Sequence, residues 1–214
     1  MVLIWMLPNL VYFAESYRTS ISRFGITDNE LSCNYWNILV GEIFKRNEFW
    51  GMYIEGRYWD SYIGGTDDCL ALVDYLAVKQ KEELSLGEIF SDLGLDKLHW
   101  NFRKTDVELG FTDSDGMNCE MHYAIDIVTA LAALLLECKA SGSINLDELY
   151  EEHTETSVTS VHITATPEEH RLMEKVLADF VSDPLAYDLS EMCPEEDMQE
   201  MAEFCEELVE ELYG

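Results

Sequence analysis

The sequence predicts an α+β fold in which a largely antiparallel sheet from the N-terminal half packs against a central apolar helix and C-terminal amphipathic helices. Three observations predict it. The first third is strand-like, one later segment is apolar almost all round, and two further segments carry apolar residues at helical spacing. Of the 214 residues 48% are apolar and 12% aromatic, enough to bury a real core, which sets the chain apart from the disordered class. It is read as one domain, 1–214, with 184–214 a candidate appended acidic helical segment.

Residues 2–6, 10–13, 36–44 and 49–55 are rich in β-branched and aromatic side chains separated by turn-like interruptions, and read as strands. Lys45, Arg46 and Asn47 suit a hairpin between the last two, with a second turn at Gly56 and a further strand through Tyr62. Thr66-Asp67-Asp68 then precedes Leu70, Val73, Leu76 and Ala77 at helical spacing, which predicts a helix over 67–82. Ser85-Leu86-Gly87-Glu88 has capping-box form and opens a short helix ending near Gly94. Val107, Leu109 and Phe111 alternate with polar neighbours ahead of a tight turn at Asp113-Ser114-Asp115-Gly116.

Residues 121–139 form the central buried helix. Their only polar or small stripe at 100° per residue is His122, Asp126, Thr129, Ala133 and Glu137. A β-branched run over 156–165 leads into Thr166-Pro167-Glu168-Glu169, which combines an N-cap, proline at the first helical position and a capping glutamate. Leu172, Met173, Val176, Leu177, Phe180 and Val181 make that helix's apolar stripe. A last helix over 194–212 places Met198, Met201, Ala202, Cys205, Leu208, Val209 and Leu212 on one face and Glu196, Glu200, Glu203, Glu207 and Glu210 opposite. Like charges at these intervals repel by about 0.2–0.5 kcal/mol per pair, so docking of the apolar face must hold it.

The apolar start, 1–14, has no basic n-region, is broken by Pro8 and Asn9, and shows no cleavage site, so it is not read as a signal peptide. The apolar run 125–136 is well short of the roughly 20 residues that cross a bilayer, and no membrane span is expected. The six cysteines, Cys33, Cys69, Cys119, Cys138, Cys193 and Cys205, form no CxxC, and free thiols in a reducing cytosol are expected.

Charge is the most uneven property of the chain. Acidic residues number 7 against 5 basic over 1–60, 15 against 6 over 61–139 and 21 against 2 over 140–214, which leaves −19 of the net −30 in the last third. Such a surface favours capture of basic partners and disfavours direct nucleic-acid binding, which needs cations for phosphate. A solvated face or general adaptation to salt explains acidity as such, but the balanced first 60 residues argue for a localised, recognition role. The predicted partner-binding residues are Glu196, Glu200, Glu203, Phe204, Glu207 and Glu210, with Phe204 and Tyr213 as apolar anchors beside the charge.

Motifs for chemistry are sparse. Asp113, Asp115 and Gly116 lack the register of a calcium loop. Gly64-Gly65 before a helix resembles an anion nest, but Asp67 and Asp68 would repel an anion, and a plain turn is expected. Cys119 and His122 have the spacing of a nucleophile–base or metal pair if helical, and His122 with Asp126 that of a polar pair on the central helix; His99, His153, His162 and His170 are the other imidazoles. No cofactor-binding or hydrolase motif occurs, so no cofactor, no metal and no catalytic residue is assigned.

The stretch Trp36-Asn37-Ile38-Leu39-Val40-Gly41 through Tyr53-Ile54-Glu55-Gly56 and Ile63-Gly64, followed by the helical residues 70–76, resembles the immunity proteins of bacterial contact-dependent inhibition and polymorphic-toxin systems. That resemblance implies a cytoplasmic, non-enzymatic protein that binds a cognate toxin domain, often a nuclease, and blocks its active site or substrate access. A nuclease is basic in order to hold phosphate, so an acidic inhibitor complements the same surface. Two other readings stay open: a DNA mimic or phage-type inhibitor of DNA-binding proteins, and an enzyme using the region of Cys119 and His122. The sequence sets neither the toxin nor the oligomeric state.

Overall fold

The computed structural model describes residues 52–149 and 158–214. All of these belong to the same compact unit, Asn47–Gly214. The strands expected at 2–6, 10–13 and 36–44, the hairpin at 45–47, the start of 49–55, Cys33 and His153 lie outside the described residues.

The chain from Met52 onward does not continue as a strand. Ile54 O accepts from both Tyr58 N and Trp59 N at 2.9 Å, closing a π-helical turn over Glu55–Trp59. That turn buries Ile54, Tyr58 and Trp59 together, which an extended chain of period two cannot do. The aromatic content that suggested β structure here serves packing on a helical turn, and the strand expected through Tyr62 is likewise a turn.

Helix α1, Asp67–Lys79, starts where Thr66 Oγ1 accepts from Cys69 N at 3.1 Å and stops where Gln80 turns left-handed at φ 51°. It is three residues shorter than expected because Glu83–Ser85 form strand β1, which inserts Leu84 into the core. Ser85 then caps helix α2, Leu86–Leu93, by accepting from Glu88 N at 3.1 Å, and Gly94 ends it at φ 83°. Only half of the expected capping box forms. The Glu88 carboxylate turns to Lys81 Nζ at 2.6 Å and Lys79 Nζ at 3.3 Å.

Strands β2, Leu109–Thr112, and β3, Asn118–Met121, make the expected hairpin, with Phe111 opposite Cys119. Asp113 Oδ1 ties the turn by accepting from Asp115 N and Met117 N at 2.9 and 2.8 Å. Gly110 is required: its φ is 142°, and a Cβ would lie 2.1 Å from Cys119 O.

Helix α3, Ala124–Ser141, is the central helix, buried on all sides from Ala124 to Cys138. It begins after His122 rather than before it. His122 is exposed, and the expected pair with Asp126 does not form; instead Asp68 in α1 accepts from His122 N and Tyr123 N at 2.8 and 2.6 Å, fastening the start of α3 to α1. The rest of the predicted polar stripe is present and buried. Thr129 Oγ1 donates to Asp126 O at 2.9 Å, and Glu137 Oε2 accepts from Ile54 N at 3.0 Å.

After Gly142 come strand β4, Ile144–Asn145, the short helix α4, Leu146–Leu149, and strand β5, Ser160–Thr164. The sheet order is β1-β5-β4, parallel between β1 and β5 and antiparallel between β4 and β5. Helix α5, Pro167–Ser182, carries the full capping box: Thr166 Oγ1 accepts from Glu169 N at 3.2 Å and Glu169 Oε2 from Thr166 N at 2.7 Å. Helix α6, Glu195–Tyr213, buries Met198, Met201, Ala202, Cys205, Leu208 and Leu212 against α3 and α5. The class is thus α+β, with helices dominant among the described residues and α3 in contact with α1, α5, α6, β4 and β5. Cys69, Cys119, Cys138, Cys193 and Cys205 are free thiols.

Candidate protein-interaction surface

On the outer face of α6, two rows of side chains meet or flank 53–66, beside a further exposed line of Glu195, Gln199 and Glu206. Along one, Asp197, Glu200, Phe204, Glu207 and Glu211 follow one another at three- and four-residue steps, the spacing that stacks side chains on one helix face. The second row, displaced around the helix, is Glu196, Glu203 and Glu210 at seven-residue steps. Glu196, Glu200, Glu203, Glu207 and Glu210 are all exposed, and Phe204 is half-buried.

The segment 53–66 lies along the first row and touches it near both ends. Tyr62 Oη donates to Asp197 Oδ1 at 3.0 Å. At the other end Arg57 Nη2 donates to Glu207 Oε2 at 3.0 Å and Arg57 Nη1 to Glu211, while Tyr53 Oη donates to Glu211 Oε2 at 2.8 Å. Between these clasps is a cleft of about 640 Å³ bordered by Arg57, Asp60, Tyr62, Thr66, Glu200 and Phe204.

Local sequence explains how 53–66 holds this place. The π-turn directs Ile54, Tyr58 and Trp59 inward and leaves Gly56, Arg57 and Asp60 exposed. Glu137 anchors Ile54 N from the stripe of α3. Gly64 lets the chain double back: a Cβ there would fall 1.9 Å from Trp59 O, and Gly65 N donates to Ser61 O at 3.0 Å. The Gly64-Gly65 pair is therefore the plain turn expected.

The six predicted site residues therefore separate. Glu200, Phe204 and Glu207 belong to the row bordered by 53–66, and Glu207 is neutralised in part by Arg57. The carboxylates of Glu196, Glu200, Glu203 and Glu210 accept no hydrogen bond and form no ion pair among the described residues. Arg57, Tyr53 and Tyr62 were missed. They stand some 135 to 158 residues from their partners, and no periodicity links them.

Two groups of titratable residues lie elsewhere. Cys119 is half-buried on β3, and its thiol is pushed up by burial and by the nearby Asp113 and Asp74, the wrong direction for a nucleophile. Extended backbone at 119–121 sends residues three apart to opposite faces, and Cys119 and His122 share no hydrogen bond. Near the start of α3, Asp68 and Asp126 are both 3% exposed. Burial raises both carboxyls, Asp126 to about 7, helped there by the charge of Asp68 and opposed by a hydrogen bond with Thr66. No cluster of three or more His, Cys, Asp or Glu suited to a metal ion occurs among the described residues.

Comparison with known families matches residues 53–212 to Immunity protein 68. The chain belongs to this family. No curated protein and no solved structure matches it. The matched region of Immunity protein 68 begins at Tyr53 and ends at Leu212, so it spans both the 53–66 segment and nearly all of α6. Membership bears out the resemblance to bacterial immunity proteins and the coarse function that it implied, neutralisation of a toxin, with a protein as partner. Immunity protein families are generally non-enzymatic. Among the described residues no helix is long and apolar enough to cross a membrane.

Proposed function

We propose that this Immunity protein 68 member neutralises a basic, nuclease-type toxin domain in the cytoplasm, as part of a contact-dependent or polymorphic-toxin system. It does so through the acidic surface of α6. Glu196, Glu200, Glu203, Phe204, Glu207 and Glu210 form the contact, and nucleic acid is not itself a ligand. One observation carries the reading. Four of these carboxylates stand exposed without a cation among the described residues, on a helix whose opposite face is fully committed to the core. Uncompensated charge on a fixed scaffold repels itself, and a basic partner relieves that repulsion while being steered toward it.

A nuclease supplies the matching charge because its substrate demands it, and covering its phosphate-binding surface denies access to that substrate. The test is co-expression with the toxin encoded immediately upstream. Cells are expected to grow with the wild-type protein and to arrest with the triple variant Glu196→Lys, Glu203→Lys, Glu210→Lys, whose circular dichroism matches wild type. Growth arrest with the wild-type protein overturns the reading. Competition with DNA for several unrelated DNA-binding proteins would instead identify a DNA mimic.

A further inference from the structure

We infer that the cleft between the π-turn and α6 receives an arginine side chain of the bound partner, its guanidinium lying against Phe204 and meeting Glu200 and Asp60. The inference rests on α6 being the partner-binding surface and adds which part of that surface selects, and for what chemistry.

Charge comes first. Asp60, Asp197, Glu200, Glu207 and Glu211 border or clasp the cleft against the single cation Arg57, four more carboxylates than cations among the described residues. Arg57 does not satisfy the middle of the cleft, because its guanidinium is turned to Glu207 and Glu211 at the C-terminal end of α6. Tyr62 engages Asp197 at the other end through a neutral hydroxyl. Glu200 and Asp60 are left between the two clasps, exposed and without a partner among the described residues.

Shape and the aromatic lining decide which cation fits. Phe204 is half-buried and lines the cleft together with Glu200, four residues before it on α6, so a cation held at Glu200 has a ring beside it. A planar guanidinium stacks on an aromatic face and presents a fork of N–H donors to carboxylates on either side, whereas a lysine ammonium is a compact, strongly hydrated point charge. The clasps from Tyr62 to Asp197 and from Arg57 to Glu207 tie 53–66 to α6 on either side of Asp60 and Glu200, which lessens the ordering left to be done on binding. The outer row, Glu196, Glu203 and Glu210, has no such enclosure. It supplies attraction at a distance, and the cleft supplies the contact that discriminates.

The test uses the full chain, isotope-labelled and titrated with N-acetyl-arginine methylamide and, in parallel, its lysine counterpart. The expected result is saturable amide shifts confined to Gly56, Ser61, Gly65, Thr66 and Phe204, larger for arginine than for lysine. They are lost in Asp60→Asn/Glu200→Gln, and Phe204→Ala weakens binding about tenfold while the folded spectrum persists. Shifts spread along α6, or unchanged in Asp60→Asn/Glu200→Gln, overturn the cleft. The same variants are then assayed for toxin capture. Loss of capture only on charge reversal at Glu203 and Glu210 keeps the acidic-face reading and defeats the cleft. Localised arginine binding with capture indifferent to every α6 variant supports the cleft and defeats the toxin-binding reading.

Discussion

Asp126 stands in the first turn of α3, 3% exposed, with Oδ1 lacking a partner among the described residues. Burial, and then the charge of Asp68, lift its carboxyl from 3.8 to about 7. In the folded chain it therefore holds a proton that the unfolded chain releases near pH 4, and the sign of the linkage follows. Its contribution to stability is full below about pH 4 and is lost as pH rises through about 7, on the order of a few kcal/mol. Asp68 is raised in the same direction. Asp92 and Asp179, lowered by Lys79, Tyr75 and Arg103, act oppositely, but only as pH falls into the usual carboxylate range. Urea denaturation from pH 5 to 8 is expected to show falling stability in the wild type and a flatter profile in Asp126→Asn, which is the more stable of the two at pH 8. Parallel profiles would mean that Asp126 does not carry the proton.

At the scale of elements, α5 owes its start to a reciprocal cap. Thr166→Ala removes the acceptor for Glu169 N and frees the glutamate that returns the bond, and is expected to cost about 1 kcal/mol. Ser85→Ala at the head of α2 should cost less, because Glu88 is already engaged by Lys79 and Lys81. A shift in urea midpoint at constant slope measures both, and equal losses would contradict the difference in wiring. These caps were legible in the sequence because a cap is written in four consecutive residues. The buried faces of α3, α5 and α6 were legible because the helical period repeats the signal along the element. What the sequence hid was non-local or ambiguous in period. The parallel pairing of Leu84 with Ile163 joins residues 79 apart, and a strand as short as Glu83–Ser85 has no room to declare an alternation. Residues 53–59 read as strands on either side of Gly56 because Tyr58 and Trp59 have the propensity of strand residues, whereas in the fold Tyr58 N and Trp59 N both donate to Ile54 O, and Ile54 N is held by Glu137 from across the chain. The helical period alone sets Glu196, Glu200, Glu203, Glu207 and Glu210 on the exposed side of the last helix with Phe204 at its margin, and the fold has them there. Their division into a clasped row and an open row depends on Arg57 and Tyr62, which only the fold brings to α6.

For the whole molecule, a net charge of −30 acts on both folding and association, with opposite dependence on salt. Folding gathers carboxylates that the unfolded chain keeps apart, so screening relieves a cost borne mainly by the folded state. The Debye length falls from about 30 Å at 0.01 M salt to about 10 Å at 0.1 M and 3 Å at 1 M. The melting temperature is therefore expected to rise between 10 mM and 500 mM NaCl. Arg57→Ala should steepen that rise, because Arg57 is the cation that meets the carboxylates of α6 among the described residues. Lys139 does not replace it, since its Nζ donates instead to the carbonyls of Glu211 and Leu212 at 2.9 Å, closing the C-terminal end of α6. Association with a basic partner responds to the same screening in reverse. Its on-rate, up to about 10⁸–10⁹ M⁻¹s⁻¹ where charges steer, drops as salt rises. Melting curves and stopped-flow association on one salt series thus form a paired test. If the melting temperature rises while the on-rate holds steady, the charge of α6 is solvation and the partner docks elsewhere; if both fall, the carboxylates are compensated in the folded chain and the self-repulsion argument fails.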